Sequence, residues 1–259
     1  MTTLDKQMDE IKNKGLSRST ARRSFLKGAV TGAVGSAGLA AGALTTLPAM
    51  MTHAASVSSK SCVTPIKDIF TIARTAERLA VTFYSHGVAH AAQLGLSGDA
   101  LSAIRAALVE EQIHELFFAS AGGDVLASTF SFPHGPATFT QLSLFIATQQ
   151  QLEGVFDSAF LSAIREFAVQ GRPDLAQIAG QIATIEAEHR ALGRYIGDLD
   201  AADNWAFSPV LVGKVGEAPA LVAKAGYLSP KGDNSFTYHQ VSTSDPEVTY
   251  RQPFAAACS

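Results

Sequence analysis

This chain of 259 residues has few cysteines and almost no net charge, and each of these features excludes a class of function. The two cysteines, Cys62 and Cys258, are too few to form a zinc cluster by themselves. The formal net charge is −3 and there is no basic stripe, so a nucleic acid is not expected as a partner. No G-x-S-x-G, P-loop or G-x-G-x-x-G pattern occurs. The hydrophobic content of 47% is ample for one core.

The N-terminal segment resembles a bacterial twin-arginine export signal. The paired Arg22 and Arg23 precede a Phe-Leu-Lys tripeptide and then an Ala- and Gly-rich run over residues 28–51. This run is weakly hydrophobic for a membrane span, which favours a signal; an uncleaved membrane anchor is the alternative. We therefore predict that residues 1–55 are a signal peptide and linker, that the twin-arginine export machinery is a partner, and that the protein is periplasmic or otherwise exported.

Export would also affect the two cysteines. Cys62 and Cys258 lie near the two ends of the predicted mature chain. In an oxidising compartment they could form a disulfide that ties those ends together. The sequence leaves open whether these thiols are bonded and whether the signal is cleaved.

Four acidic residues form the most informative pattern in the sequence. A lone Glu is followed by a Glu-x-x-His motif twice, after 34 residues in the first copy and 33 in the second. The residues are Glu77 with Glu111 and His114, and Glu153 with Glu186 and His189. One Glu-x-x-His is weak evidence, but two matched copies are hard to obtain by chance. Together they form the ligand set of a two-metal carboxylate site inside a four-helix bundle.

Each of these acids lies in the middle of an apolar helix face. Residues three and four apart share a face, and the four faces comprise Phe70, Ala73, Glu77, Ala80 and Tyr84; Ile104, Leu108, Glu111, His114 and Phe118; Leu142, Ile146, Gln149, Glu153, Phe156 and Phe160; and Ile178, Ile182, Glu186, His189, Gly193 and Ile196. An unpaired carboxylate buried there would cost several kcal/mol or lose its charge, whereas a pair of divalent cations would remove that penalty. The alternative is a bundle whose acids are exposed or form buried ion networks.

Turn and capping signals predict an all-α fold with four helices and one long crossover. The helices are expected at about 65–92, from the Ser97-Gly98-Asp99 cap to 120, at 138–170 and at 173–198. A linker over residues 121–137, which contains two prolines, joins the two halves of the bundle.

The C-terminal part is expected to be an irregular extension that wraps the bundle. We place the bundle at residues 63–198 and the extension at 199–259. A short helix is predicted over 218–225 and a strand-like piece over 240–243. Three aromatic residues are expected to anchor the extension: Trp205, Phe207 and Phe254.

At the six acid and histidine positions the chain resembles the ferritin-like superfamily, which includes ferritins, rubrerythrins and manganese catalases. With its export signal it looks like the bacterial ferritin-like domain proteins that are exported, a group that also includes plant desiccation-related proteins. The resemblance covers about residues 63–198 and implies a di-metal site with the ligands Glu77, Glu111, His114, Glu153, Glu186 and His189. No C-x-x-C pair for a rubredoxin-type iron centre is present, so an internal electron relay of the rubrerythrin kind is not expected.

Such a site suits two iron ions, or alternatively two manganese ions, with open positions for dioxygen or peroxide. Glu111 and Glu186 are the best candidates to bridge the metals, and Glu77 and Glu153 would be terminal ligands. The expected function is a ferroxidase, oxidase or peroxidase. The alternatives are a non-enzymatic metal-binding stress or envelope protein and a manganese catalase-like enzyme. A homodimer is a further possibility.

Several neighbours of the ligands are candidates for additional site residues. Glu110, Glu115 and Glu188 are expected to point mostly away from the site, although Glu115 could enter it as an extra carboxylate. Tyr84 is either a core tyrosine or a hydrogen-bond donor or radical carrier, and Gln149 could support a ligand. His86 and His90 could form a metal pair, but they are interpreted as surface or loop-facing histidines. His134 and His239 lie in predicted loops.

Overall fold

Four long helices dominate a computed structural model, which describes residues 63–200 and 205–256. The predicted all-α bundle is therefore confirmed. The helices are α1 (Ile66–Ala89), the single turn α2 (Ala91–Leu94), α3 (Gly98–Ser120), α4 (Leu142–Val169), α5 (Pro173–Ile196) and α6 (Ala218–Lys224). The two short strands are β1 (Thr129–Phe130) and β2 (Phe236–Thr237).

The ends of the long helices follow local chemistry. Asp68, Asp99 and Asp174 lie in the first turns of α1, α3 and α5, where a negative charge complements the helix dipole. Pro173 is the first residue of α5, a position where its missing N–H costs nothing. The predicted cap Ser97 precedes α3 with extended backbone, but its side chain makes no capping hydrogen bond.

The bundle consists of two helical hairpins. Helix α1 packs along α3, and α4 packs along α5. Residues 121–141 connect the hairpins as the predicted long crossover. Two threonines of α1 hold its first part, because Thr71 Oγ1 accepts from Asp124 N at 3.0 Å and Thr75 Oγ1 accepts from Leu126 N at 2.9 Å.

Two predicted helix boundaries are wrong, and one aromatic cluster explains both. The predicted helix over 138–170 begins only at Leu142, because Gly135–Phe139 forms a 3₁₀ turn. That turn buries Phe139 against Phe83, whose ring stacks on Phe145 at 4.4 Å. The predicted helix over 65–92 stops at Ala89. The rings of His86 and His90, on either side of this end, pack against Phe139 of the same cluster.

The C-terminal extension does pack on the bundle, but the predicted anchors are largely exposed and do not fill its core. Trp205, Phe207 and Phe254 are 56%, 90% and 65% exposed. The buried residues of the extension are instead Val212, Val215, Ala218, Val222 and Tyr227. Small and aliphatic side chains, together with Tyr227, pack beside α1 and α4 and fill this part of the core.

One buried carboxylate of α4 ties the segment before α1 to the segment that precedes α6. Glu166 Oε1 accepts from Thr64 N at 2.6 Å, and Glu166 Oε2 accepts from Val215 N at 2.8 Å. The predicted helix near 218–225 is α6, whereas the predicted strand-like piece over 240–243 is irregular. The strand lies earlier, where Phe236–Thr237 pairs antiparallel with Thr129–Phe130 of the crossover.

No helix within residues 63–200 and 205–256 is long and apolar enough to cross a membrane. The predicted signal peptide over residues 1–55 and both cysteines lie outside the described residues, so these predictions stay predictions.

Candidate metal centre

The six residues selected from the sequence converge at the middle of the bundle. Each long helix contributes one acid, and α3 and α5 each add a histidine three residues later on the same face. The exposed fraction is 2% or less for the four acids and His189, and 13% for the side chain of His114. The positions of Glu77, Glu111, His114, Glu153, Glu186 and His189 therefore define one buried cluster.

The cluster divides into two groups that share two acids. Ligand atoms of Glu77, Glu111, His114 and Glu186 all lie within 4.8 Å of one another. The same holds for Glu111, Glu153, Glu186 and His189. Glu111 and Glu186 belong to both groups, which is the arrangement expected of bridging carboxylates between two metal ions.

Each histidine directs its Nδ1 atom at the carboxylates. His189 Nδ1 lies 3.1 Å from Glu111 Oε1 and 3.4 Å from Glu186 Oε2. His114 Nδ1 lies 3.7 Å from Glu111 Oε2 and 3.6 Å from Glu186 Oε1. The two imidazoles thus approach the shared acids from separate sides, one in each group.

The cluster fits a metal because its polar atoms lack other partners. Both carboxylate oxygens of Glu77, Glu111 and Glu186 are buried without a hydrogen-bond partner among the described residues, as are Glu153 Oε2 and the Nδ1 atoms of both histidines. Buried polar groups are normally hydrogen-bonded, so such a concentration of exceptions requires an explanation. Oxygen and imidazole donors suit iron or manganese. The cluster could therefore hold a metal, and four carboxylate charges match two divalent cations.

The electrostatics of the protein alone show the same need for positive charge. Burial, together with repulsion from Glu111, raises the pKa of both Glu77 and Glu186 well above the usual carboxyl range. Burial also opposes ionisation of Glu111, but close polar contacts with Glu77, His114 and His189 outweigh it and lower the pKa of Glu111. Without cations, the cluster must take up protons.

Two further residues, Tyr84 and Gln149, form a polar layer beside one half of the cluster. Tyr84 donates a short hydrogen bond to Glu153, and Gln149 Nε2 donates to Tyr84 OH at 3.1 Å and to the His189 carbonyl at 2.7 Å. Tyr84 is therefore a hydrogen-bond donor to a candidate ligand. Gly193 makes this layer possible, since a Cβ atom there would overlap the carboxamide of Gln149.

The orientation of His189 depends on a residue that sequence reasoning placed away from the site. His189 Nε2 donates to Glu110 Oε2 at 2.8 Å, which leaves Nδ1 facing the cluster. Burial alone would lower the pKa of His189, but the electrostatic effect of Tyr84, the hydrogen bond to Glu110 and the close contact with Glu111 raise it well above its usual value. The Glu110 contact crosses from α3 to α5, so no spacing within one helix could reveal it.

Glu115 lies outside both ligand groups, so it is not an extra ligand of the cluster, but it is buried and paired within the protein. It is 1% exposed, and its Oε1 atom accepts from Arg74 Nε at 2.9 Å and from Arg78 Nε at 2.8 Å. Gln112 Nε2 donates to its other oxygen at 3.3 Å. The two arginines on one face of α1 are the signal that could have identified this pairing.

The remaining histidines lie outside the two ligand groups found among the described residues. His86 is half-buried, and its ring packs 4.8 Å from Phe236 and 5.2 Å from Phe139. It therefore faces the crossover and the C-terminal extension, and not open solvent. His90 Nδ1 contacts the His86 carbonyl at 2.9 Å. Glu188, His134 and His239 are exposed, as expected.

The fold and the site define a four-helix bundle protein with a buried carboxylate and histidine cluster that could hold a metal. The family model described as ferritin-like domain matches residues 67–196, half of the 259-residue chain. The protein belongs to this ferritin-like domain family. The comparisons found no matching curated protein and no matching solved structure.

Proposed function

We propose that this protein is an exported di-metal carboxylate protein whose centre reacts with dioxygen or peroxide as a ferroxidase, oxidase or peroxidase. The observation that carries the proposal is the set of buried carboxylate oxygens without hydrogen-bond partners among residues 63–200 and 205–256. Four acids on four helices would repel one another in a dry core, and two divalent cations neutralise them. The proposed metals are two iron ions, with two manganese ions as the alternative.

The two overlapping groups assign a role to each ligand. Glu77 and His114 would hold one metal, and Glu153 and His189 would hold the other. Glu111 and Glu186 would bridge them, because both belong to each group. When bound, the pair of iron or manganese ions supplies the redox equivalents that reduce dioxygen or peroxide.

The protein residues around the centre orient ligands and hold protons. Burial, followed by the charge of Glu153, raises the pKa of Tyr84, so its hydroxyl stays protonated and donates to Glu153. Gln149 fixes Tyr84 from the other side. Glu110 lies 31% exposed at the edge of the core and holds the proton of His189 Nε2. These contacts place a hydroxyl donor beside Glu153 and hold the His189 ring with Nδ1 towards the cluster.

Export is proposed from the N-terminal sequence alone. The paired Arg22 and Arg23 and the apolar run that follows them resemble a twin-arginine signal. The twin-arginine system carries folded proteins, so a centre loaded before export would reach the periplasm intact. Changing both arginines to lysine should retain the protein in the cytoplasm, as measured by fractionation.

The central test is elemental analysis of the natively exported protein, followed by turnover assays with ferrous iron and with hydrogen peroxide. We expect about two metal ions per chain and turnover above background. Glu111→Ala and His189→Ala should lose metal. Glu188→Ala is the matched control, because Glu188 is exposed and lies beside the same motif. Absence of metal would refute the proposal, and metal without turnover would leave only the structural role. Rapid peroxide disproportionation with manganese alone would identify a catalase-like enzyme.

A further inference from the structure

A cavity of about 450 Å³ lies against α3 and α5 on the side of the bundle that carries His114. Its outer wall is residues 248–253 of the C-terminal extension, which we call the strap. The volume is within the range of small-molecule sites in proteins. The four helices alone do not form this cavity, because the C-terminal extension supplies one of its walls.

The strap is attached to α5 by side chains that reach its backbone. Gln181 Nε2 donates to the Phe254 carbonyl at 2.6 Å, and Gln181 Oε1 accepts from Phe254 N at 3.3 Å. Gln177 Oε1 accepts from Ala256 N at 3.0 Å. These hydrogen bonds hold the chain just beyond residues 248–253 and fix the outer wall of the cavity.

The cavity reaches the candidate metal centre. His114 and Glu110 both line it. His114 belongs to one ligand group, and Glu110 accepts from His189 of the other. A molecule in the cavity would therefore contact one candidate ligand directly and the support of a second. The four acids of the cluster are at most 1% exposed, whereas the His114 side chain is 13% exposed, so His114 is the ligand candidate that solvent reaches from this side.

The lining combines apolar side chains with an arginine that has no ion-pair partner among the described residues. The apolar wall consists of Ile113, Phe117, Ile178, Ile182 and Ile185. Arg251 of the strap also lines the cavity and has no ion-pair partner within residues 63–200 and 205–256. A guanidinium group binds a carboxylate through paired hydrogen bonds. The acid Glu110 in the same lining already accepts from His189.

We propose that this cavity is the substrate site of the metal centre and that it takes a small amphipathic organic acid. The apolar part of the acid would lie on the isoleucine and phenylalanine wall, and its carboxylate would pair with Arg251. The role of the acid as a substrate rests on the proposed function. The binding of the acid depends only on the cavity.

The test is calorimetric titration of the full mature chain, in metal-free and metal-loaded form, with 2-naphthoate and with its neutral analogue 2-naphthamide. Wild-type protein should bind naphthoate more tightly than naphthamide. Arg251→Gln should weaken naphthoate binding about tenfold, because it removes a charged hydrogen-bond partner, and should leave naphthamide unchanged. Arg105→Gln is the matched control, since Arg105 is exposed on α3 and does not line the cavity. Thr184→Phe, which adds bulk to the lining, should weaken both probes.

The outcomes separate this proposal from the function it rests on. Failure of wild-type protein to bind naphthoate, or equal losses in Arg251→Gln and Arg105→Gln, would overturn the cavity proposal. If metal content is about two per chain in the same samples, the proposed function survives that failure. Arg251-dependent binding to protein that never takes up metal would support the acid site and refute the metal centre.

Discussion

Two sets of buried carboxylates in this bundle have the same chemistry and opposite surroundings. Glu115 and Glu166 are 1% and 0% exposed, and each has protein donors: two arginines for Glu115, and two backbone N–H groups for Glu166. The acids of the central cluster are equally buried but, apart from one oxygen of Glu153, have no hydrogen-bond partner among the described residues. Burial therefore does not distinguish the acids of the central cluster from the other buried acids. The absence of hydrogen-bond partners among the described residues does.

The first prediction removes a partnered acid. Glu115→Ala leaves Arg74 and Arg78 without their buried counter-charge, so the free energy of unfolding should fall by about 3 kcal/mol. Urea unfolding of metal-free protein measures it. Glu188→Ala, an exposed change, should stay within about 0.5 kcal/mol. A similar small loss for Glu115→Ala would show that the partners contribute little.

The second prediction disturbs the polar layer beside the unpartnered acids. Gly193→Ala places a methyl group on the carboxamide of Gln149, which should cost about 2 kcal/mol through overpacking. Gly180→Ala in the same helix is the control. Among the described residues, its Cβ would contact Ile164 Cδ1 alone, at 3.8 Å, so it should be neutral or stabilise by up to about 1 kcal/mol. Thermal unfolding of both variants, with a loss confined to Gly193→Ala, would confirm the close approach.

The third prediction removes an unpartnered acid. The free energy of unfolding should rise, whereas it falls when the partnered Glu115 is removed. Glu77→Gln eliminates a buried carboxylate whose pKa is raised by burial and by Glu111. The metal-free variant should therefore be more stable than wild type by about 1 kcal/mol at neutral pH. Its stabilisation by added ferrous or manganous ions should be lost. A destabilised metal-free variant would show that Glu77 has a partner that the comparison overlooks.

The fourth prediction concerns pH and metal-free protein. The pKa of Glu77 and Glu186 is raised in the folded state, so their stabilising contribution is complete in acid and is lost as pH rises above about 4.5. His189 has a raised pKa as well and acts in the same direction above about 6.5. Glu111 has a lowered pKa, so its contribution is lost only as pH falls. The melting temperature should decline modestly from weak acid towards neutrality.

A variant that combines Glu77→Gln with Glu186→Gln is the control for that decline. Its melting temperature should change less between weak acid and neutrality, because two of the titrating groups are absent. Metal should bind wild-type protein more tightly as pH rises, since binding displaces the protons. An unchanged melting curve across this range would contradict the unpartnered state of the cluster.

Local pattern was sufficient for the bundle and for selecting the six cluster residues, because helical spacing repeats the same face every three or four positions. It failed for Glu110 and Glu115, whose partners are on other helices, and for Phe139, whose ring stops α4 from beginning earlier. That the six residues bind metal stays a prediction.

The sequence by itself determined that four helices would form and that one acid would lie at the middle of each, because helix periodicity and capping depend only on neighbours along the chain. Only the tertiary structure decided which acids found partners. Arg74 and Arg78 reach Glu115 across two helices, the strap closes the cavity from the far end of the chain, and Glu77 meets Glu111 and Glu186 with no donor to satisfy them. Electrostatic partnership depends on distance in space, which chain order does not specify.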